Sequence, residues 1–106
     1  MPGEATARAL VNAAGPWVAQ LATERLGLPV AAPVRLVKGS HIVVNGFPGA
    51  PRDALYYEAK SDGRAIFVVP WNGRFLIGTT DLRYYGDLDD VVASEEEIEY
   101  LLRETN

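Results

Sequence analysis

At 106 residues, with 48% apolar and 23% charged residues, the sequence has the composition of an ordinary globular protein and the length of one domain at most. A formal charge of -4, carried with ten Lys and Arg that never form a run, argues against a nucleic-acid surface. The absence of cysteine excludes disulfides, thiolate metal sites and cysteine nucleophiles, and the apolar stretches fall far short of the ~20 residues that span a bilayer.

In chain order, the start MPGEATARAL has neither the basic head nor the apolar centre of a signal peptide. A short apolar run ends at Gly15. Pro16 follows, as in a first helical turn, and Trp17, Val18, Leu21, Ala22 and Leu26 recur at helical spacing before Gly27 and Pro29 stop them. The segment from about 8 to 27 reads as strand, tight turn and helix, or simply as a half-buried helix. From Pro33 the character changes to strands. Residues 34–44, 54–59, 65–70 and 74–79 are expected to form one mainly antiparallel sheet. Asn72-Gly73, between apolar runs, marks its hairpin, because both turn residues need positive φ. An acidic, irregular stretch then leads to Ser94 and Glu97, spaced as a capping box that opens a final helix. Ile98, Leu101 and Leu102 supply that helix with an apolar stripe, whereas Glu95, Glu96 and Glu97 read as a solvated helix start near the positive end of its dipole. The fold class is therefore α+β: an antiparallel meander with a hairpin at 72–73, an N-terminal strand-helix unit and a C-terminal helix. A strand beginning almost at Met1 and a helix ending at Asn106 read as two cut ends.

His41 is the only histidine, so any imidazole chemistry must pass through it. Lys38 lies three residues earlier, and a regular strand would turn the two to opposite faces unless a bulge at Gly39 swung them together. Lys38-Gly39-Ser40 has the wrong order for a phosphate loop, and no G-x-G-x-x-G is present to cradle a dinucleotide pyrophosphate. One histidine among scattered carboxylates gives no metal constellation. Thr79-Thr80-Asp81 is a polar cluster at a strand end, where a turn or cap is the plainer role.

Five segments, in order, resemble the aerobic, FAD-linked glycerol-3-phosphate dehydrogenases. They are Leu10-Val11-Asn12-Ala13-Ala14-Gly15-Pro16-Trp17-Val18, Arg35-Leu36-Val37-Lys38-Gly39-Ser40-His41-Ile42-Val43-Val44, Ile66-Phe67-Val68-Val69-Pro70-Trp71, Ile77-Gly78-Thr79-Thr80-Asp81 and Glu97-Ile98-Glu99-Tyr100-Leu101-Leu102. The first is shared with many flavoproteins of one superfamily, and the second and fourth together are highly specific. The resemblance implies oxidation of glycerol 3-phosphate to dihydroxyacetone phosphate, with hydride passing to FAD and electrons to membrane quinone. His41 would fall at the substrate site near the flavin ring and Lys38 in the same polar cluster, with Ser40, Thr79 and Thr80 as weaker substrate-site candidates. Ala13, Ala14 and Gly15 would lie where the backbone passes close to FAD. Residues 1–32 would then be the tail of an FAD-binding domain and 33–106 part of a substrate-binding domain. The remaining N- and C-terminal parts lie outside this chain, so the 106 residues alone are expected to be inactive and to hold no flavin. The whole protein would be cytoplasmic, peripheral at the cytoplasmic face of the membrane. An amino-acid oxidase of the same superfamily and a freestanding interaction module are the alternatives.

Overall fold

The computed structural model describes residues 3–30 and 34–106. The chain divides into two compact units, Met1–Arg35 and Leu36–Asn106.

In the first unit, Pro16 sits in a 3-10 turn, Gly15–Trp17, which leads into a short α-helix, α1 (Val18–Gln20), and a π-helical turn, Leu21–Arg25. Gly27, at φ +62°, ends the helical segment, and the Leu26 and Leu28 amides return to the carbonyls of Leu21 and Ala22. The strand expected ahead of this helix is not formed, since residues 7–14 carry no ladder. A strand exists only through its pairing, and no described segment of this unit pairs with it. Asn12 instead ties the loop to the helix: its side-chain oxygen accepts from the Ala14 amide (3.2 Å) and its amide donates to the Val18 carbonyl (2.9 Å).

The second unit is built on strands β1 (Val37–Lys38), β2 (His41–Val44), β3 (Leu55–Glu58), β4 (Ala65–Trp71), β5 (Arg74–Gly78) and β6 (Leu82–Arg83), followed by α2 (Glu95–Thr105). The meander β3-β4-β5 and the hairpin at Asn72-Gly73 are present, and both turn residues have positive φ, 47° and 73°. All pairings are antiparallel. The strands make two sheets where one was expected: four strands in the order β2-β5-β4-β3, and the pair β1-β6. The division comes from a mismatch in length. His41 pairs with Gly78 and Lys38 with Leu82, so Gly39 and Ser40 stand opposite three residues, Thr79 to Asp81. The extra residue belongs to the partner strand, not to the Gly39 strand. Exposure consequently alternates without a break from Leu36 to Val44.

One face of the four-stranded sheet carries the core, with Ala59, Ile66, Val68 and Ile77 buried and Ile42, Val44, Tyr57, Phe75 and Tyr100 packed around them. α2 lies on this face and buries Leu101 completely. Each such aliphatic side chain contributes about 1.5–3 kcal/mol when removed from water. The expected stripe on α2 is shifted by a residue, since Ile98 and Leu102 are exposed while the buried positions are Glu97 and Leu101. Ser94 caps the helix as expected. Its hydroxyl accepts from the Glu97 amide (3.3 Å), and the Glu97 carboxylate accepts from the Ser94 amide (2.9 Å). The opposite face of the sheet is open, with Val43, Tyr56 and Phe67 exposed and the last two rings stacked at a tilt, 5.3 Å apart.

Candidate functional site

The junction between the two sheets gathers most of the polar residues singled out from sequence, but it sorts them onto two faces. Even-numbered positions of the 36–44 strand point toward α2 and odd-numbered ones away from it. Lys38 and Ser40 therefore face the helix, and His41 lies on the open side with Val43. The bulge that would bring Lys38 and His41 together is absent from their strand.

On the helix side, the centre is Glu97, which is only 2% exposed. One carboxylate oxygen, Oε1, accepts from the hydroxyls of Ser40 (2.9 Å) and Thr80 (2.7 Å). The other, Oε2, pairs with the Lys38 ammonium (2.7 Å) and accepts the Ser94 amide. Lys38 also donates to the Val92 carbonyl (2.7 Å), and its Nζ lies 5.9 Å from the Tyr84 ring centre. Burial pushes the Glu97 pKa up. The hydrogen bonds from Lys38, the Ser94 amide, Thr80 and Ser40 outweigh it and bring the value down to about 2. Glu97 is thus a buried, fully paired anion and not the solvated residue expected of it. Sequence held a signal for this. Glu97 is one helical turn from Leu101, on the face that packs, so its carboxylate had to find partners inside the protein.

On the open side, the His41 ring lies directly over Gly78, its partner across the ladder. A Cβ added at Gly78 would collide with the imidazole at Cδ2, Cγ and Nε2. Gly39 is required for a similar reason: a Cβ there would come 2.6 Å from Thr79 Oγ1 and 2.7 Å from the Thr80 carbonyl, both crowded inward by the extra residue. Thr79 and Thr80 accordingly part company. The Thr79 hydroxyl donates to the Thr80 carbonyl (2.9 Å) beside Gly39, and Thr80 is buried against Glu97. The resulting arrangement is an exposed imidazole on one face of the strand and an ion-paired hydroxyl network on the other. Among the described residues, no group of carboxylate and imidazole side chains could hold a metal ion.

Ala13, Ala14 and Gly15 lie in the other unit, in the loop fixed by Asn12. Gly15 has φ +54°, and a Cβ built on it would meet nothing within 4 Å. Small side chains and open backbone there fit close approach by a flat ligand such as a flavin ring, but they contain no glycine-rich cradle for a pyrophosphate.

A family model described as DAO, FAD dependent oxidoreductase, matches residues 1–106. The chain is 53% identical over 103 residues to a glycerol-3-phosphate dehydrogenase of Synechocystis, covering 92% of this chain and 19% of the relative. It is 44% identical over 101 residues to the D-erythritol 1-phosphate dehydrogenase of Brucella abortus, covering 94% of this chain and 20% of the relative. Among solved structures, the glycerol-3-phosphate dehydrogenase from Bacillus halodurans complexed with FAD aligns with a TM-score of 0.64 at 39% identity, over 68% of this chain and 14% of that one. The chain therefore spans about a fifth of the length of the curated relatives it matches.

Proposed function

Because the chain belongs to the FAD dependent oxidoreductase family, we propose that it is part of an enzyme oxidising the secondary alcohol of a polyol phosphate, with sn-glycerol 3-phosphate as substrate and dihydroxyacetone phosphate as product. The observation that carries the reading is His41, the only imidazole of the chain, presented on an open sheet face over a glycine. When bound to the whole protein, FAD supplies the acceptor for the hydride that leaves the carbinol carbon. His41 takes the hydroxyl proton at an imidazole nitrogen as the C–H bond breaks and the carbonyl forms, the general-base role open to an imidazole. Ala13, Ala14 and Gly15 are the residues of this chain proposed to lie against the flavin, because their side chains are small and the space beside Gly15 is open.

Lys38 takes a different part from the one the resemblance implies. Its ammonium is committed to Glu97 and the Val92 carbonyl, so it serves the strand from behind and does not reach across it. Thr79, beside Gly39 on the open side, stays a candidate for substrate contact, whereas Ser40 and Thr80 are engaged with Glu97. Residues 1–32 are proposed as the tail of the FAD-binding domain and 33–106 as part of the substrate-binding domain. Quinone as electron acceptor and a location at the cytoplasmic face of the membrane belong to the same proposal; among the described residues no helix is long and apolar enough to cross a bilayer.

The identity at 44% to an enzyme named for D-erythritol 1-phosphate supports a second reading, a four-carbon polyol phosphate. The test is a substrate comparison on the flavoprotein containing this chain. Bleaching of its flavin absorbance by glycerol 3-phosphate and not by D-erythritol 1-phosphate supports the first reading, and the reverse supports the second. Bleaching only by amino acids rejects both.

A further inference from the structure

We propose that Glu97 is a positioning residue for His41: from the helix side of the sheet it fixes the register of the strand from which the imidazole projects on the other side. The inference rests on the reading of His41 as the working group, and it concerns how that group is held. The weak point of the sheet is the mismatch at its junction, where two residues face three. An extra residue in one strand can in principle migrate along the ladder, and moving it by one position changes which residue faces which. At His41 the change would be decisive. The ring fits only because Gly78 lies opposite, and neither flanking residue, Ile77 or Thr79, leaves that space.

What pins the mismatch is a set of contacts converging on the residue just before His41. The Ser40 amide donates to Thr80 Oγ1 (2.8 Å) and the Ser40 carbonyl accepts the Thr80 amide (3.3 Å). The hydroxyls of both residues meet on a single oxygen of Glu97. Only one alignment of the two strands brings Ser40 and Thr80 to that oxygen together. Lys38 and the Ser94 amide hold the other oxygen, so the carboxylate cannot turn away. The helix, through Glu97 of its capping box, therefore reads the register of the strand pair and transmits it to the imidazole.

The test uses the 106-residue chain, in which one histidine gives one assigned set of imidazole resonances. In the unaltered chain, the nuclear Overhauser effect between the His41 ring protons and the Gly78 α-protons should be strong. Glu97→Ala should weaken it at least twofold and move the imidazole resonances. Glu97→Gln, whose amide can still bond both hydroxyls, should restore most of it. Exposed Glu99→Gln should change nothing. If Glu97→Ala does not fold, Ser40→Ala, which removes one hydroxyl and leaves Glu97 paired, should produce a smaller loss of the same signal. A purely structural Glu97 would lower the melting temperature but leave the His41–Gly78 contact intact in the folded chain, and that result overturns the proposal, as does an unchanged contact in Ser40→Ala. Because the signal reports geometry and not turnover, it stands or falls separately from the catalytic reading of His41.

Discussion

The Glu97 carboxylate should make the stability of the chain acid-sensitive in a defined window. Its ordinary value is 4.5, and in the fold it lies at about 2. Since the folded pKa is the lower one, the unfolded chain binds the proton first. The stabilisation is complete above 4.5 and is lost as pH falls toward 2. One pKa unit corresponds to about 1.4 kcal/mol, so the full term is about 3 kcal/mol, and about 2 kcal/mol of it should be gone by about pH 3. A group this buried keeps most of that value, since solvent screens it little. The comparison is with Glu97→Gln, which has no proton to take up. Asp62, held low chiefly by the Arg64 amide, and Glu104, held low chiefly by its Ser61 hydrogen bond, are common to both proteins and cancel. Urea unfolding followed by circular dichroism at about pH 6 and about pH 3 should show the advantage of the unaltered chain shrinking by about 2 kcal/mol at the lower pH. An advantage that stays the same at both values would mean that Glu97 is not the low-pKa anion its contacts describe.

Three further outcomes follow from the same contacts. Gly39→Ala should destabilise the chain by about 1–3 kcal/mol, because the new methyl meets Thr79 and the Thr80 backbone; thermal unfolding measures it. Ser94→Ala should cost about 1 kcal/mol through loss of the α2 cap, with a matching fall in α2 amide protection by hydrogen exchange. The 106-residue chain should show no saturable quenching of FAD fluorescence at micromolar concentration, because the G-x-G-x-x-G cradle is not in its sequence; a yellow, flavin-loaded preparation would contradict this.

The local features with a stereochemical signature were readable in advance. Asn72-Gly73 specified its hairpin through positive φ, and Ser94 with Glu97 specified the start of α2 through reciprocal caps. What escaped was long-range. The register that places Gly39-Ser40 against Thr79–Asp81 depends on pairing across some forty residues, and no local pattern encodes it. For the same reason Glu97 looked like any acidic residue in a first helical turn, although its partners Lys38, Ser40 and Thr80 come from elsewhere in the chain. The strand assigned ahead of Gly15 failed differently: residues 7–14 have an apolar pattern but no paired neighbour among the described residues. His41 was identified because it is the sole histidine, while the side of the sheet it occupies emerged only from the unbroken alternation between Leu36 and Val44.

The most direct test of the account is turnover per mole of bound flavin in the flavoprotein containing this chain, compared between His41 and His41→Ala and measured alongside melting temperature. If His41 accepts the hydroxyl proton, turnover with glycerol 3-phosphate should fall by roughly 100- to 10,000-fold, the usual contribution of a general base, while flavin content stays near that of the unaltered enzyme. Near-normal turnover per flavin, with or without a lower melting temperature, would contradict a catalytic His41 and reduce it to a packing residue above Gly78.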